Sequence, residues 1–322
     1  MLSRVAERIY WMARYIERAE NSARLVNAYT HQVLDLPKGV EPGWRQLIDI
    51  TGSGEDFAEH YPGYGEQHTI DFVVANAANP SSILASIGMA RENMRTTREL
   101  LPGEAWQHCN ELYLYARNHA RDALPRRGRY AFLKEVIFRC QQLTGLLAST
   151  MSHDAAYDFV RIGRNLERAD MTTRIVDSAI FLLMPRQQAP GQYDNLLWVN
   201  VLKSLSAYQM YRQHVRNRVE GAAVVKFLLQ DNFFPRTVSH AAAVAESGLR
   251  NLPRHEAPLR RVSALQERLR TAEIAAMDLA AMHAFIDELQ LAINEVQEAI
   301  GATWFQAQWV ERRYTAQAMA TA

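Results

Sequence analysis

The chain has 322 residues, of which 48% are hydrophobic and 22% charged, and its 36 Lys and Arg residues against 35 Asp and Glu residues give a net charge of +1. This length suffices for one large domain or two ordinary ones. The near-neutral charge argues against a strongly basic nucleic-acid binder, because neutralising phosphates requires a surplus of Lys and Arg. The two cysteines, Cys109 and Cys140, form neither a disulfide framework nor a Cys-x-x-Cys motif.

The N-terminus carries charges at Arg4, Glu7 and Arg8, in the stretch where a secretory signal would have to be apolar. The longest apolar run, Ala179 to Pro185, is much shorter than the roughly 20 residues that a membrane span requires. We therefore predict a cytoplasmic protein that does not enter a membrane.

The pattern is helical almost throughout. Apolar residues recur every three or four positions from Ser3 to about Leu36, which is the spacing of one helix face. A Gly-rich stretch, residues 51–67, predicts the longest irregular segment, and Asn79-Pro80 predicts the start of a helix to about Leu101. Further helices are predicted over 103–123, 129–150, 153–184, 194–230, 235–250, 257–275 and 278–318. Since no run alternates clearly enough to predict a strand, the fold class is all-α, a multi-helix bundle.

The most informative feature is an internal repeat. The segment RYIERAENSARLV begins at Arg14, and RNLERADMTTRIV begins 150 residues later, at Arg164. Weaker matches follow in the same order, such as Phe72 with Pro80 against Phe227 with Pro235, and they read as a duplication. We predict one domain made of two similar halves, residues 1–151 and 152–322, packed around a pseudo-two-fold axis. The coinciding residues of the first segment pair are Glu17/Glu167, Arg18/Arg168, Ala19/Ala169, Glu20/Asp170 and Arg24/Arg174.

The polar residues of the repeat share one helix face. Arg14, Glu17, Asn21 and Arg24 fall within about 80° of one another around a helix, opposite the apolar stripe, and Arg164, Glu167 and Arg174 do the same in the second copy. A merely solvated face has no reason to keep residue identity. The repeated Glu and Arg therefore favour specific partners, in which guanidinium groups meet carboxylates.

Two interpretations of this face stay open beside a plain solvated surface. In the first, an Arg–Glu network locks the two halves together, with every charge paired because an unpaired buried charge is costly. In the second, a pseudo-symmetric cleft uses Arg24 and Arg174 to bind carboxylates or phosphates of a ligand, while Glu17 and Glu167 position them or bind an amine.

Catalytic and metal-binding signatures are missing from the sequence. Glu17-x-x-Glu20 and Glu167-x-x-Asp170 place acidic pairs one helical turn apart, but no Glu is followed three residues later by His, as ferritin-like sites require. The sequence has no GxSxG elbow, P-loop or HExxH motif. We predict no metal and no cofactor.

Two further clusters could join the same polar centre. Arg91, Asn93 and Arg95 lie on adjoining turns of one predicted helix and form either a solvated face or additional donors. Asp231 precedes a helix predicted to begin at Pro235, where Arg236 could present its side chain and the free backbone N–H groups would favour an anion.

The opening MLSRVAERIYWMARYIERAENSARL, with the second ERAD segment, closely resembles the bacterial alpha-E family, a helical domain with a repeated Glu-Arg motif. ARENMR and FLLQDNFFPRTV also look like internal motifs of that family, and the resemblance reaches at least the FQAQWVERRY segment. Asp170-Met171 stands in the second copy where the first has Glu20-Asn21, which favours a single lopsided site over a symmetric one.

The resemblance implies partners rather than a chemistry. Members of the family usually occur beside, or fused to, circularly permuted ATP-grasp proteins, and also with transglutaminase-like proteins or, in some operons, a proteasome-like peptidase. The resemblance therefore implies a role in an ATP-dependent amide-ligation or peptide-modification system.

Three functions follow as hypotheses. The first is a non-catalytic helical partner or substrate-binding subunit of such a system. The second is an enzyme of amide or acyl transfer, with Glu17 or Glu167 as general base and arginines stabilising an anionic intermediate. The third is a purely structural scaffold. The sequence leaves the oligomeric state open, a homo-oligomer included.

Overall fold

The computed structural model describes residues 2–35, 43–184, 194–216 and 218–305, and in these ranges the fold consists of helices and connecting turns. The predicted all-α class is confirmed. Short 3₁₀ or π-helical turns lie at Asp71–Ala75, Arg98–Leu100, Ala120–Ala123, Ile274–Ala276 and Gly301–Phe305. The α-helices, in chain order, are α1 (Ser3–Asp35), α2 (Arg45–Thr51), α3 (Gly54–His60), α4 (Glu66–Ile70), α5 (Ile83–Arg95), α6 (Gly103–His119), α7 (Arg126–Thr150), α8 (Ala155–Leu183), α9 (Asp194–Ser204), α10 (Tyr208–Val215), α11 (Gly221–Gln230), α12 (Val238–Arg250), α13 (Glu256–Thr271) and α14 (Leu279–Ile300).

Helices α1 and α8 pack directly against each other and position the polar residues of the repeat. Gly163 permits their close approach, because a Cβ atom at that position would lie 2.5 Å from the backbone oxygen of Tyr10. Tyr10 lies beside Gly163, and Arg14 lies beside Glu167, so residue numbers rise together along the two helices. The polar face of each helix is therefore covered by the other helix.

The surrounding helices form two similar sets. Helix α1 packs on α5 and α7, and α6 packs on both α5 and α7. In the same way, α8 packs on α12 and α14, and α13 packs on both α12 and α14. Both α5 and α12 have 13 residues, and each starts at a hydroxyl cap, Ser82 and Thr237. Helix α2 crosses to pack on α8, and α9 crosses to pack on α1. The sequence duplication, with its boundaries at 1–151 and 152–322, stays a prediction.

Two predicted segments differ from the structure. The helix predicted over 194–230 is three helices, α9, α10 and α11, because Ser206 and Arg216 adopt left-handed backbone conformations with φ of 54° that a continuous helix cannot contain. The Gly-rich stretch predicted to be irregular contains α3. The spacing of apolar residues indicates neither the breaks within 194–230 nor the short helix α3.

The start of α5 also lies elsewhere than predicted. Ser82 caps the helix by accepting the backbone N–H of Ala85, whereas the Asn79 side chain bonds the Phe72 oxygen and the Ser81 N–H. Similarly, α12 begins after Thr237 rather than at residue 235. The predicted end of the first helix near residue 36 and the stretch 306–318 of the last predicted helix lie outside the described residues. None of the described helices is long and apolar enough to cross a membrane.

Candidate functional site

Most of the candidate residues meet in one place, between α1, α8 and the turn before α12. We name this cluster the Glu/Arg centre. Its carboxylates are almost fully buried, with Glu17 and Glu167 only 1% and 2% exposed. Its members are Arg14, Glu17, Arg18, Glu20, Asn21 and Arg24 from α1, Arg164, Glu167, Arg168, Asp170 and Arg174 from α8, and Arg236.

The two Glu-Arg steps of the repeat pair with each other. Arg18 donates through Nε to Glu167 Oε1 at 2.5 Å and through Nη2 to Oε2 at 3.1 Å. In return, Arg168 Nε lies 2.9 Å from Glu17 Oε1. Each helix thus supplies a carboxylate to the arginine of the other, so the two stripes interlock instead of facing each other across an open cleft.

Glu167 is held by a second arginine as well. Arg14 donates through Nε to Glu167 Oε2 at 2.6 Å, and its Nη1 donates to Gln297 of α14 and to the Tyr10 hydroxyl. Burial by itself would raise the pKa of Glu167, but Arg14 and Arg18 outweigh it and lower that pKa to about 2. Glu167 is therefore ionised and fully engaged at neutral pH.

On the other side of the centre, Arg236 fills the space beside Glu17. Its Nη1 donates to Glu17 Oε1 at 2.8 Å and to the Asn21 side chain, and its Nη2 donates to Glu20 Oε1 at 2.6 Å. Thr172 fixes the backbone there by donating to the Arg236 oxygen at 2.8 Å. Burial would raise the pKa of Glu17, but Arg168 and Arg236 lower it to about 2.

The two sides of the centre are not equivalent. Arg164 stands at the repeat position of Arg14, yet it makes no hydrogen bond or ion pair with any described residue, and its Nε is buried. Burial and the nearby Arg168 lower the pKa of Arg164. Arg236 takes the place at Glu17 that Arg14 takes at Glu167. The expectation of a lopsided centre therefore agrees with the geometry.

Arg24 and Arg174, which occupy equivalent positions in the two similar sequence segments, each reach the end of a short helix. Arg24 bonds Glu20 within α1 at 2.9 Å and donates to Ser206 Oγ, just after α9. Arg174 bonds Asp170 within α8 at 2.9 Å, and its Nη1 adjoins Gly52, just after α2, where a Cβ atom would lie 2.9 Å from it. Ser206 and Gly52 both have left-handed backbone conformations.

A small cavity of about 110 Å³ lies on the Glu167 side, where Ser81 precedes the cap of α5 as Arg236 precedes the cap of α12. We name it the Ser22 cavity, because the buried Ser22 Oγ has no hydrogen-bond partner there. It is lined by Arg18, Ser22, Ile50, Thr51, Ser81, Glu167, Asp170, Met171 and Arg174. Ile50 and Arg174 also line a larger groove of about 630 Å³ between α2 and the end of α8.

Three predicted site residues on α5 do not join the centre. Arg91 donates to Asn110 and lies over the rings of Trp106 and Tyr113, on the α6 side of α5. Arg95 pairs with Glu92 at the surface, and the Asn93 side chain makes no hydrogen bond with a described residue. The hypothesis that they add donors to the centre is wrong, because α5 turns that face away from α8.

Asp231 also lies apart from the centre. Its Oδ1 accepts the backbone N–H groups of Phe233 and Phe234, and its Oδ2 lies 3.1 Å from His214. These N–H groups precede the predicted helix start at Pro235, and the N-terminus of α12 is capped by Thr237, which accepts the His240 N–H.

Sequence reasoning missed Ser22, Ser81 and Gln297. The repeat offset of 150 would have paired Ser22 with Thr172, another hydroxyl at the centre, whereas nothing in the sequence marks Gln297. Sequence reasoning also missed a cluster of Asp177, His283 and Asp287, whose possible metal-ligand atoms lie within 4.8 Å of one another. His283 Nδ1 lies 2.5 Å from Asp177.

The chemistry of the centre favours binding over catalysis. A general base needs a pKa near the working pH, whereas Glu17 and Glu167 have pKa values of about 2 because each carboxylate is held between two arginines. Cys109 and Cys140 are fully buried, and burial raises the pKa of both thiols, that of Cys109 to about 12. Neither thiol is therefore a ready nucleophile.

Comparison with known proteins identifies the family of this chain. A model described as Alpha-E, a predicted alpha-helical domain with a conserved ER motif, matches residues 1–305. Uncharacterized proteins of Mycobacterium bovis and Mycobacterium tuberculosis are each 22% identical over 331 residues, which cover 93% of this chain and 36% of the relative. The chain thus spans about a third of the length of the curated relatives it matches. No solved structure matches. Two Glu-Arg steps interlock at the heart of the site, and the match covers nearly every described residue, so the chain belongs to the Alpha-E family.

Proposed function

We propose that this protein is a non-catalytic binding partner in an ATP-grasp-type amide-ligation or peptide-modification system. One observation carries the proposal: the carboxylates of the Glu/Arg centre are consumed by internal ion pairs, while Arg174 and Arg18 also line a cavity. The centre thus lacks a free base but keeps cations that can meet a ligand. The family's association with circularly permuted ATP-grasp proteins suggests the system, and the extra length of the relatives is compatible with fusion to such a protein.

The interlocked ion pairs also favour a second candidate, a purely structural scaffold. In that case, the network only fixes α1 against α8, and the cavity has no occupant. The two candidates separate on binding, because a scaffold predicts that cavity variants change stability alone. The enzyme hypothesis receives no support from Glu17 or Glu167, whose pKa values are about 2.

Affinity purification of the tagged full chain from its native cell extract tests the partner. We expect an ATP-grasp protein, with or without a transglutaminase-like protein, to be recovered at low and at moderate salt. Recombinant versions of the recovered proteins should then bind the purified chain in isothermal titration calorimetry. Recovery of neither class at either salt concentration would contradict the proposal.

A matched pair of surface variants controls for nonspecific capture. Phe181 and Phe138 are both exposed on helices, at 61% and 59%, but only Phe181 lines the groove beside the centre. If the partner bound through the groove, Phe181→Ser would weaken the complex and Phe138→Ser would not. Equal losses in both would show that the capture reflects general surface hydrophobicity.

A further inference from the structure

We infer that the Ser22 cavity is a binding site for a carboxylate group, the acidic end of a peptide-like ligand whose body lies in the adjoining groove. The inference deepens the proposed function and rests on it only for the peptide-like body, since the carboxylate preference follows from the cavity itself. Its basis is a difference between the two sides of the Glu/Arg centre. One side is filled from within by a guanidinium group, and the other has a cavity lined by arginine and serine donors.

The filled side shows what an occupant of the centre does. Arg236 offers three hydrogen bonds to Glu17, Asn21 and Glu20. On that side α8 supplies only one ion pair to Glu17, from Arg168, since Arg164 forms no ion pair with Glu17. Without Arg236, the acceptor atoms of Glu17, Asn21 and Glu20 would have fewer donors. A cationic group therefore suits this side of the centre.

The open side has the opposite requirement. Both oxygens of Glu167 accept from Arg14 and Arg18, and Asp170 Oδ1 accepts from Arg174, while Asp170 Oδ2 lies 4.0 Å from Arg14. The cavity has more donors without a partner than acceptors. Among the described residues, the Ser22 hydroxyl, Arg18 Nη1 and both Nη atoms of Arg174 find no acceptor. An occupant that accepts hydrogen bonds therefore suits the cavity best.

The charge and the size of the Ser22 cavity further restrict the chemical class of its occupant. Two arginines, Arg18 and Arg174, and two carboxylates, Glu167 and Asp170, line the cavity. Arg14 bonds Glu167 from behind this lining, which leaves one positive charge that a carboxylate would balance. A phosphate carries nearly two charges at neutral pH. A cavity of about 110 Å³ has room for a carboxylate group, and guanidinium groups bind carboxylates in planar, two-bond geometry.

Ser22 supplies the independent sign of a ligand. It is 1% exposed, lines the cavity and has no hydrogen-bond partner. A buried hydroxyl left unpaired costs free energy, which an acceptor in the cavity would recover. The cavity continues through Ile50 and Arg174 into the groove, whose wall includes Phe181 and Leu182. The groove can therefore take an apolar body attached to the bound carboxylate.

The test uses three probes on the purified full chain: N-acetyl-L-alanine, its neutral amide and inorganic phosphate. Titrations are followed by NMR of the arginine Nε–H signals and by calorimetry. We expect saturable binding of N-acetyl-L-alanine, with shifts of the Arg174 and Arg18 signals, and at least tenfold weaker binding of the amide. Equal binding of acid and amide, stronger binding of phosphate than of the acid, or no saturable response to any probe overturns the inference.

Matched variants locate the site. Arg174→Gln should weaken N-acetyl-L-alanine binding about tenfold or more, because it removes a charged donor. The matched control is Arg139→Gln, which should leave binding unchanged, because Arg139 is similarly half-buried and pairs with a carboxylate one helical turn away but lies outside the centre and the cavity. Ser22→Ala should weaken binding about threefold or more, and Ser86→Ala, another buried unpaired hydroxyl outside the cavity, should not. Equal effects within either pair contradict the assignment.

The outcomes for the cavity and for the partner can be told apart. Capture of an ATP-grasp protein without N-acetyl-L-alanine binding overturns the cavity assignment and leaves the proposed function standing. Binding of N-acetyl-L-alanine without any captured partner supports the cavity assignment and contradicts the proposed function.

Discussion

Replacing Arg236 by leucine probes the filled side of the Glu/Arg centre. The Arg236 side chain is nearly fully buried, and its two terminal nitrogens serve Glu17, Asn21 and Glu20 together. Leucine keeps only the first carbon atoms of the arginine stem and removes the charge and all three hydrogen bonds. Glu17 is then left with Arg168, and Glu20 with Arg24, in a space closed to water.

The expected cost follows from this geometry. Breaking a buried ion pair by removing one partner costs about 3–5 kcal/mol, because the remaining charge stays desolvated. A chain of 322 residues unfolds with an entropy of about 0.7 kcal/mol/K, so this loss lowers the melting temperature by about 4–7 °C. Arg250→Leu is the matched control, since Arg250 pairs with Glu246 at the end of the next helix but is 59% exposed in its side chain. That exposed pair should cost less than about 1 kcal/mol.

Differential scanning calorimetry and urea unfolding at pH 7 measure both variants. A double variant with Glu17→Gln then isolates the pair, and we expect non-additivity of about 0.5–3 kcal/mol. Equal losses for Arg236→Leu and Arg250→Leu, or strict additivity with Glu17→Gln, would refute the view that Arg236 neutralises buried carboxylates.

Three further outcomes follow from the same structure. Because the pKa of Glu167 falls from 4.5 to about 2 on folding, its contribution to stability, about 3 kcal/mol, is present above pH 4.5 and is lost as the pH falls toward 2; the acid decline in urea-unfolding free energy should therefore be shallower in Glu167→Gln, and an unchanged pH profile would exclude this source. Gly163→Ala should lower the melting temperature measurably, since its Cβ would meet the Tyr10 oxygen at 2.5 Å and force α1 and α8 apart, whereas Gly145→Ala, with open space around it, should not. Both thiols should resist a disulfide reagent in the native protein and react on unfolding, because both cysteines are fully buried; fast native labelling would contradict this packing.

Much of the centre could be foreseen from the sequence because its residues lie on two repeated helices. Glu17, Arg18, Glu167 and Arg168 keep their identities at a fixed offset, and that repetition selected them before any contact was known. Their reciprocal pairing then needs only that α1 and α8 lie side by side in the same direction. The resemblance to the family rested on these segments, and the family match confirmed it.

Other residues were misplaced because local pattern carries no information about which neighbour a helix face meets. Arg91 has the same residue type and helical spacing as the members of the centre, yet its face of α5 packs on α6, where aromatic rings and Asn110 surround it. The predicted long helix over 194–230 failed for a local reason, since left-handed residues other than glycine, Ser206 and Arg216, leave no mark on the apolar periodicity.

The sequence by itself determined the helical class, the two polar stripes and the family, since each depends on residue order and periodicity within single segments. Only the tertiary structure decided how the charges pair. Arg236 reaches Glu17 across 219 positions of the chain, while Ser81, at the matching place, leaves a cavity beside Glu167. The physical reason is that the free energy of a buried charge depends on every group packed around it, and those groups come from helices far apart in the sequence.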